Sequence, residues 1–171
     1  MPETLKRGES GRPKTTLVCG FGNPGRRDDG LGPALVALLE SDPALKKWTG
    51  LRTEARLQLN IEDALTISAV EEVIFADAST RARPPFEFKR IRPRAKLAFS
   101  THALAPASVL ALCRELYGRT PEAFLLGIRG YRWELEEGLT ARAARNLERA
   151  LAFLNKRWGF GPTIDKPRRL K

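Results

Sequence analysis

The sequence predicts an α/β sandwich with a mostly parallel sheet, because short apolar runs alternate with amphipathic helical patterns along the chain. A chain of 171 residues with 42% hydrophobic and 29% charged residues has the size and composition of one globular domain. We expect a flexible basic arm over residues 1–14, one folded domain over 15–158 and a basic tail over 159–171. No apolar run approaches the ~20 residues that span a bilayer and no signal-peptide stretch is present, which predicts a cytoplasmic protein without membrane contact.

Two strand and helix units are predicted in the first half of the chain. A β-branched apolar run over 15–21 predicts a buried strand, and leucines at helical spacing predict a helix over 31–41. A strand over 51–57 and a short helix over 61–70 follow. The apolar run over 72–77 predicts a second central strand that ends on an acid.

The second half continues the alternation. The basic, proline-punctuated segment 83–93 predicts an edge strand with flanking loops, and residues 100–102 predict a loop. A helix is expected from Pro106 through Leu116, with proline suited to its first turn. Residues 124–128 predict a buried strand and residues 143–158 an amphipathic last helix.

The net charge of +10, with a pI near 10.2, suggests a nucleic-acid partner, but its distribution opposes one. Residues 1–14 carry +2, residues 81–96 carry +6 and residues 156–171 carry +5, so the remaining chain carries −3. The excess lies in the tails and one segment, where solvated, solubilising charge is the ordinary interpretation. We therefore expect no nucleic acid at the motif-bearing part of the domain.

The loop after the first strand carries the chemistry-bearing residues. Gly20–Gly25 satisfies the G-x-G-x-x-G pattern of a dinucleotide site, but Pro24 lacks an amide donor, and Asp28 and Asp29 place negative charge where phosphate would lie. Helix capping needs one acid, which leaves the other to face the cleft. In a parallel sheet this carboxylate converges with Asp77 at the carboxyl edge, although a strand-end aspartate also commonly bonds loop amides.

His102 is the only histidine, which excludes zinc sites built on two histidines. Its ordinary interpretation is a surface or hydrogen-bonding residue. The cysteines, Cys19 and Cys113, lack C-x-x-C spacing and are predicted to be small core residues. Two carboxylates with one imidazole would suit nickel or zinc and leave coordination positions open.

The pattern Gly20-x-Gly22-Asn23, then Asp28-Asp29-Gly30-x-Gly32, with Asp77 and His102 beyond it, resembles the hydrogenase maturation endopeptidases. The resemblance extends from about Leu17 to the last helix. It implies a three-layer α/β/α sandwich, phosphorylase/hydrolase-like, with a mostly parallel sheet. It also implies an aspartyl-type endopeptidase that removes the C-terminal extension of a nickel-iron hydrogenase large-subunit precursor after nickel insertion.

By position, the resemblance implies that Asp29 and Asp77 are catalytic and that Asp29, Asp77 and His102 contact nickel. The nickel would be held by the precursor and serve as its recognition element, with no other tightly bound cofactor. The implied substrate-binding residues are Gly22, Asn23, Asp28 and Gln58.

Two alternatives stay open. Residues 20–25 are also similar to the opening Gly-Leu-Gly-Asn-Pro-Gly of peptidyl-tRNA hydrolases, but this chain has Arg-Asp-Asp at 27–29 where that family needs a catalytic histidine. The second alternative is a non-catalytic chaperone that docks on the precursor. Residues 57–63 depart from the Asp-Gly-Gly-Thr turn of the endopeptidases and look closer to members that serve soluble cofactor-reducing hydrogenases, which bears on the precursor that is cut.

Overall fold

A computed structural model describes residues 14–94 and 104–161. The strands are β1 (Thr16–Phe21), β2 (Leu51–Arg56), β3 (Glu72–Ser79), β4 (Phe86–Ile91) and β5 (Glu122–Arg129). The helices are α1 (Leu31–Ser41), α2 (Asp63–Ser68), α3 (Pro106–Tyr117) and α4 (Ala141–Arg157). The predicted loop at 100–102, and with it His102, lies outside the described residues, as does most of the predicted arm and tail.

The five strands form one sheet in the order β2-β1-β3-β5-β4. Strands β2, β1, β3 and β5 run parallel to one another, and β4 pairs antiparallel with β5. This arrangement confirms both the mostly parallel sheet and the edge strand. The chain steps from β1 outward to β2 and then returns to the other side of β1 for β3. The sheet therefore reverses its strand order between β1 and β3, and such a crevice is where parallel sheets bind ligands.

Helices cover both faces of the sheet, because alternate residues of the central strands point in opposite directions. Val18 and Ile74 pack with the apolar sides of α1 and α4. Leu17, Cys19 and Phe75 pack with α2 and α3. The three-layer α/β/α arrangement is confirmed, and no helix among the described residues has the length and apolarity needed to cross a membrane.

Both cysteines are buried and free, as predicted. Burial raises the pKa of the Cys19 thiol to about 12 and also raises the pKa of Cys113. A thiol with a raised pKa forms little of the thiolate that nucleophilic catalysis requires. These residues therefore belong to the core.

The folded region reaches slightly beyond the predicted domain limits. Lys14 forms ion pairs with Glu72 and Glu122 at the amino end of the sheet. At the other end of the chain, Phe160 packs against Trp48 with ring centroids 5.9 Å apart. Residues within two positions of each predicted limit thus have contacts with the folded domain.

The first turn of α1 is wedged between the carboxyl ends of β1 and β3. A Cβ on Gly32 would lie 2.5 Å from the carbonyl oxygens of both Phe21 and Ala76. Such an overlap forces the helix away from the sheet. We expect Gly32→Ala to lower the free energy of unfolding by about 3 kcal/mol, the upper part of the usual range for overpacking.

Urea denaturation of Gly32→Ala measures this effect. Gly161→Ala is the matched control, since nothing lies within 4 Å of its added Cβ. Equal transition midpoints for the two variants would show that α1 does not depend on this close approach.

Candidate active site

A tight turn after β1 orients the Asp29 carboxylate. Gly22 has φ +138°, a conformation that other residues rarely adopt, and a Cβ there would overlap the Asp29 carbonyl oxygen. The Asn23 amide donates to Asp29 Oδ2 at 3.0 Å, and the Gly25 amide donates to Asn23 Oδ1 at 2.9 Å. Because side chains already occupy these two amides, the turn does not offer them to a phosphate, which opposes the dinucleotide interpretation.

Asp77 lies on β3, directly beyond the point at which Ala76 pairs with Gly20 of β1. The pKa of Asp77 is raised to about 7, chiefly by burial and less by the negative charge of Asp29, while a hydrogen bond from the Ala78 backbone opposes the shift. The two carboxylates therefore lie near enough for their charges to interact. Asp29 follows β1 and Asp77 lies on β3, so both belong to the crevice between these strands.

This pair of acids has two chemical uses. A carboxyl with a pKa near 7 is partly protonated at neutral pH, so Asp77 can give up a proton when a cation approaches. Two neighbouring carboxyl groups also suit the acid and base roles of hydrolysis. Both uses require the Asp29 carboxylate to stay beside Asp77.

Asp28 faces away from this crevice and is completely buried. Its Oδ2 accepts hydrogen bonds from the amides of Tyr131 (2.7 Å) and Arg132 (3.1 Å). Thr140 donates to it twice, from its amide to Oδ1 (2.8 Å) and from its hydroxyl to Oδ2 (2.9 Å). The sequence suggested a substrate contact or a helix cap for this residue. However, α1 begins at Leu31, after Gly30, without a side-chain cap, and the Asp28 carboxylate instead holds the segment between β5 and α4.

The neighbouring backbone strengthens that connection. Arg27 has φ +46°, in the left-handed region, and its amide donates to the Glu136 carbonyl at 2.7 Å. The Arg27 guanidinium also forms an ion pair with the Glu136 carboxylate. The turn that carries Asp29 and the segment 131–140 therefore form one cross-linked unit.

Gln58 is exposed just past the carboxyl end of β2, next to the crevice edge of the sheet. The segment that carries it is fixed by Asp63, which is 3% exposed and which sequence reasoning did not single out. Asp63 accepts from Arg56 Nε at 3.1 Å and from the Asn60 amide at 2.7 Å. An acid three residues after an asparagine, at the start of a helix, was the available signal.

A pocket of about 110 Å³ opens beside Asp77 on the α2 and α3 side of the sheet. Sequence reasoning missed it, because its walls come from three strands whose register only the structure supplies. A second pocket, of about 310 Å³, lies between the turn after β1 and residues 138–139, and no acid lines it. The residues lining the first pocket are Asp77, Ala78, Ser79, Ala82, Glu87, Lys89, Leu125 and Gly127.

The described residues supply two of the three predicted metal ligands. Across 14–94 and 104–161, no group of three or more histidine, cysteine, aspartate or glutamate side chains could hold a metal ion. Asp29 and Asp77 form a pair, and His102 lies outside these ranges. The three-ligand site stays a prediction.

The solved structures that match this fold include several hydrogenase maturation proteases. The HycI protease of Thermococcus kodakarensis KOD1 matches with a TM-score of 0.65 and 22% identity, over 85% of this chain and 92% of that one. HybD of E. coli matches with a TM-score of 0.64 and 24% identity, over 83% and 90%. The hydrogenase 2 maturation peptidase of Thaumarchaeota archaeon SCGC_AB-539-E09 matches with a TM-score of 0.62 and 19% identity, over 85% and 99%. No protein-family model and no curated protein sequence matches the chain.

Proposed function

We propose that this protein is an endopeptidase that removes the C-terminal extension of a nickel-iron hydrogenase large-subunit precursor. The observation that carries the proposal is the placement of Asp29, held by the turn after β1, and Asp77, on the adjacent strand β3, at one crevice of the sheet. The pair lies in a fold shared with the maturation proteases described above. The sequence motif around Asp29 supports the same assignment.

In this proposal the nickel belongs to the precursor, and the enzyme only contacts it. Asp29, Asp77 and His102 provide carboxylate and imidazole ligands, which suit nickel and leave positions for the groups with which the precursor holds the ion. Contact with the cation favours the ionised form of Asp77, because an opposite charge lowers a carboxyl pKa. Docking of a nickel-loaded precursor is thereby favoured over docking of an empty one.

The substrate peptide runs past the same edge of the sheet. Gly22 and Asn23 line the turn that holds Asp29, and exposed Gln58 lies at the end of the neighbouring strand. We assign these three residues to peptide contact and Asp29 with Asp77 to aspartyl-type hydrolysis. The cytoplasm, where the two free cysteines stay reduced, is the proposed location.

The direct test incubates the protein with a nickel-loaded large-subunit precursor and follows the precursor mass by mass spectrometry. We expect a single C-terminal shortening with the nickel-loaded precursor and none with the nickel-free one. His102→Ala should slow cleavage by about tenfold or more, because the imidazole contact with the nickel is lost. A precursor that binds but keeps its full mass would favour the chaperone, and release of peptide from peptidyl-tRNA would favour the alternative hydrolase.

A further inference from the structure

The outer edge of the sheet is strongly basic. Among the described residues, β4 pairs with β5 alone, so its other edge has no strand partner. Six exposed cations on β4 and its flanks, which we call the basic edge, surround one exposed acid, Glu87. The basic edge consists of Arg81, Arg83, Lys89, Arg90, Arg92 and Arg94.

Little of this charge is neutralised within the described part of the chain. Arg90 lies 3.8 Å from a Glu122 oxygen, and the other five cations have no ion pair among the described residues. The carboxylate of Glu87 accepts a hydrogen bond from the Arg83 amide at 3.1 Å. The field at this edge is therefore positive and complements an acidic partner.

A groove joins the basic edge to the candidate active site. Gly127 of β5 pairs with Asp77 on one side and with Glu87 on the other, and Leu125 pairs with Lys89. These side chains share one face of the sheet, and Gly127, which lacks a side chain, forms the floor between them. The groove is the pocket of about 110 Å³ beside Asp77, which is well below the ~300–1,000 Å³ of small-molecule sites.

We propose that the groove over Gly127 and the basic edge bind an extended, acidic segment of the precursor next to the bond that is cut. One part of an extended peptide can lie in the groove, and the part that continues outward past β4 meets the cations, which select acidic side chains. This inference rests on the proposed function. Cations on an edge strand also discourage aggregation, but that role does not require a groove that leads to Asp77.

The binding test uses synthetic peptides and needs no cleavage. A fluorescein-labelled decapeptide of alternating glutamate and threonine is compared, by anisotropy, with one that carries lysine in place of glutamate. We expect the acidic peptide to bind more tightly and its affinity to fall with salt, because exposed charges are screened. Lys89→Glu with Arg92→Glu should weaken binding by about tenfold, and Arg145→Glu with Arg149→Glu, on exposed positions of α4, should not.

The groove is tested separately. A Cβ on Gly127 would lie 3.5 Å from Ser79 Cβ, an ordinary contact, so Gly127→Ala should fold normally. Gly127→Leu fills the groove and should raise KM for the nickel-loaded precursor, with thermal unfolding followed as the fold check. A variant that keeps its melting temperature and raises KM supports the groove.

The outcomes separate the two proposals. Equal binding of the two peptides, or an unchanged KM in both the charge-reversed protein and Gly127→Leu while the precursor is still cut, overturns this inference and leaves the proposed function standing. If the protein binds the acidic peptide but cuts no precursor, the proposed function is contradicted instead. Increased aggregation of the charge-reversed protein with unchanged KM assigns the cations to edge protection alone.

Discussion

Asp77→Asn is expected to abolish cleavage of the precursor and, at the same time, to stabilise the folded protein above neutral pH. The carboxylate is lost as a ligand and as an acid or base, which removes its contribution to the reaction. Asparagine keeps the shape of the side chain and stays neutral. Loss of activity and gain of stability should therefore appear in one variant, a combination that marks residues kept for function.

The sign of the stability effect follows from the pKa of Asp77, which burial raises from 3.8 to about 7. Between these values the folded protein holds a proton that the unfolded chain has lost, so the free energy of unfolding falls as pH rises. The stabilisation that comes from the proton held by Asp77 is complete below about pH 4 and is lost as the pH rises through about 7. Asp77→Asn should match the wild type near pH 4 and exceed it by about 2–4 kcal/mol at pH 8, since one pKa unit corresponds to 1.36 kcal/mol.

Urea denaturation at pH 4 and pH 8 measures this difference. Asp29→Asn is the informative companion, because the Asp29 charge is a secondary cause of the raised pKa of Asp77. Asp29→Asn should also abolish cleavage, but it should only weaken the pH dependence of the free energy of unfolding. Stability curves that run parallel for Asp77→Asn and the wild type, or cleavage retained by either variant, would contradict the assignment of this pair.

The architecture could be predicted because local patterns determine it. The leucines that begin at Leu31 and the apolar run before Asp77 define a helix and a central strand by their periods alone. The convergence of Asp77 with an acid from the loop after β1 follows from the parallel arrangement of β1 and β3. Strand limits were less accurate, since β3 continues past Asp77 to Ser79 where it pairs with β5.

The remaining features depend on contacts between distant parts of the chain. The groove over Gly127 exists because antiparallel β4 brings Lys89 opposite Leu125, a register that no local pattern contains. The partners of Asp28 lie 103 to 112 residues further along the chain. An acid next to a glycine loop is locally consistent with a cap, a ligand or a substrate contact, so its burial decides among them.

Asp28→Asn is expected to destabilise the protein strongly although it changes few atoms. The Asp28 carboxylate receives four hydrogen bonds from Tyr131, Arg132 and Thr140, and both of its oxygens accept. An amide in its place turns a donor toward other donors in either orientation, which leaves buried amides unpaired. We expect a loss of about 3–5 kcal/mol in the free energy of unfolding, as for other broken buried charged networks.

Thr140→Ala provides the graded comparison. The Thr140 hydroxyl donates to Asp28 and also accepts from the Ala143 amide at the start of α4, so this variant loses one of the four bonds and a helix cap. Thr140→Ala should therefore lower the free energy of unfolding by less than Asp28→Asn does, by about 1–3 kcal/mol. Hydrogen exchange should show faster opening of the Tyr131 and Arg132 amides in Asp28→Asn than in Thr140→Ala.

These measurements also separate the two roles that Asp28 could have. A residue that contacts substrate raises KM when it is changed and leaves the exchange of the 131–140 amides as it was. A residue that positions the turn loosens those amides, and cleavage then falls because Asp29 is the next residue in the same cross-linked unit. Unchanged exchange with a raised KM would return Asp28 to the peptide-binding surface and place the control of Asp29 in the Gly22 turn alone.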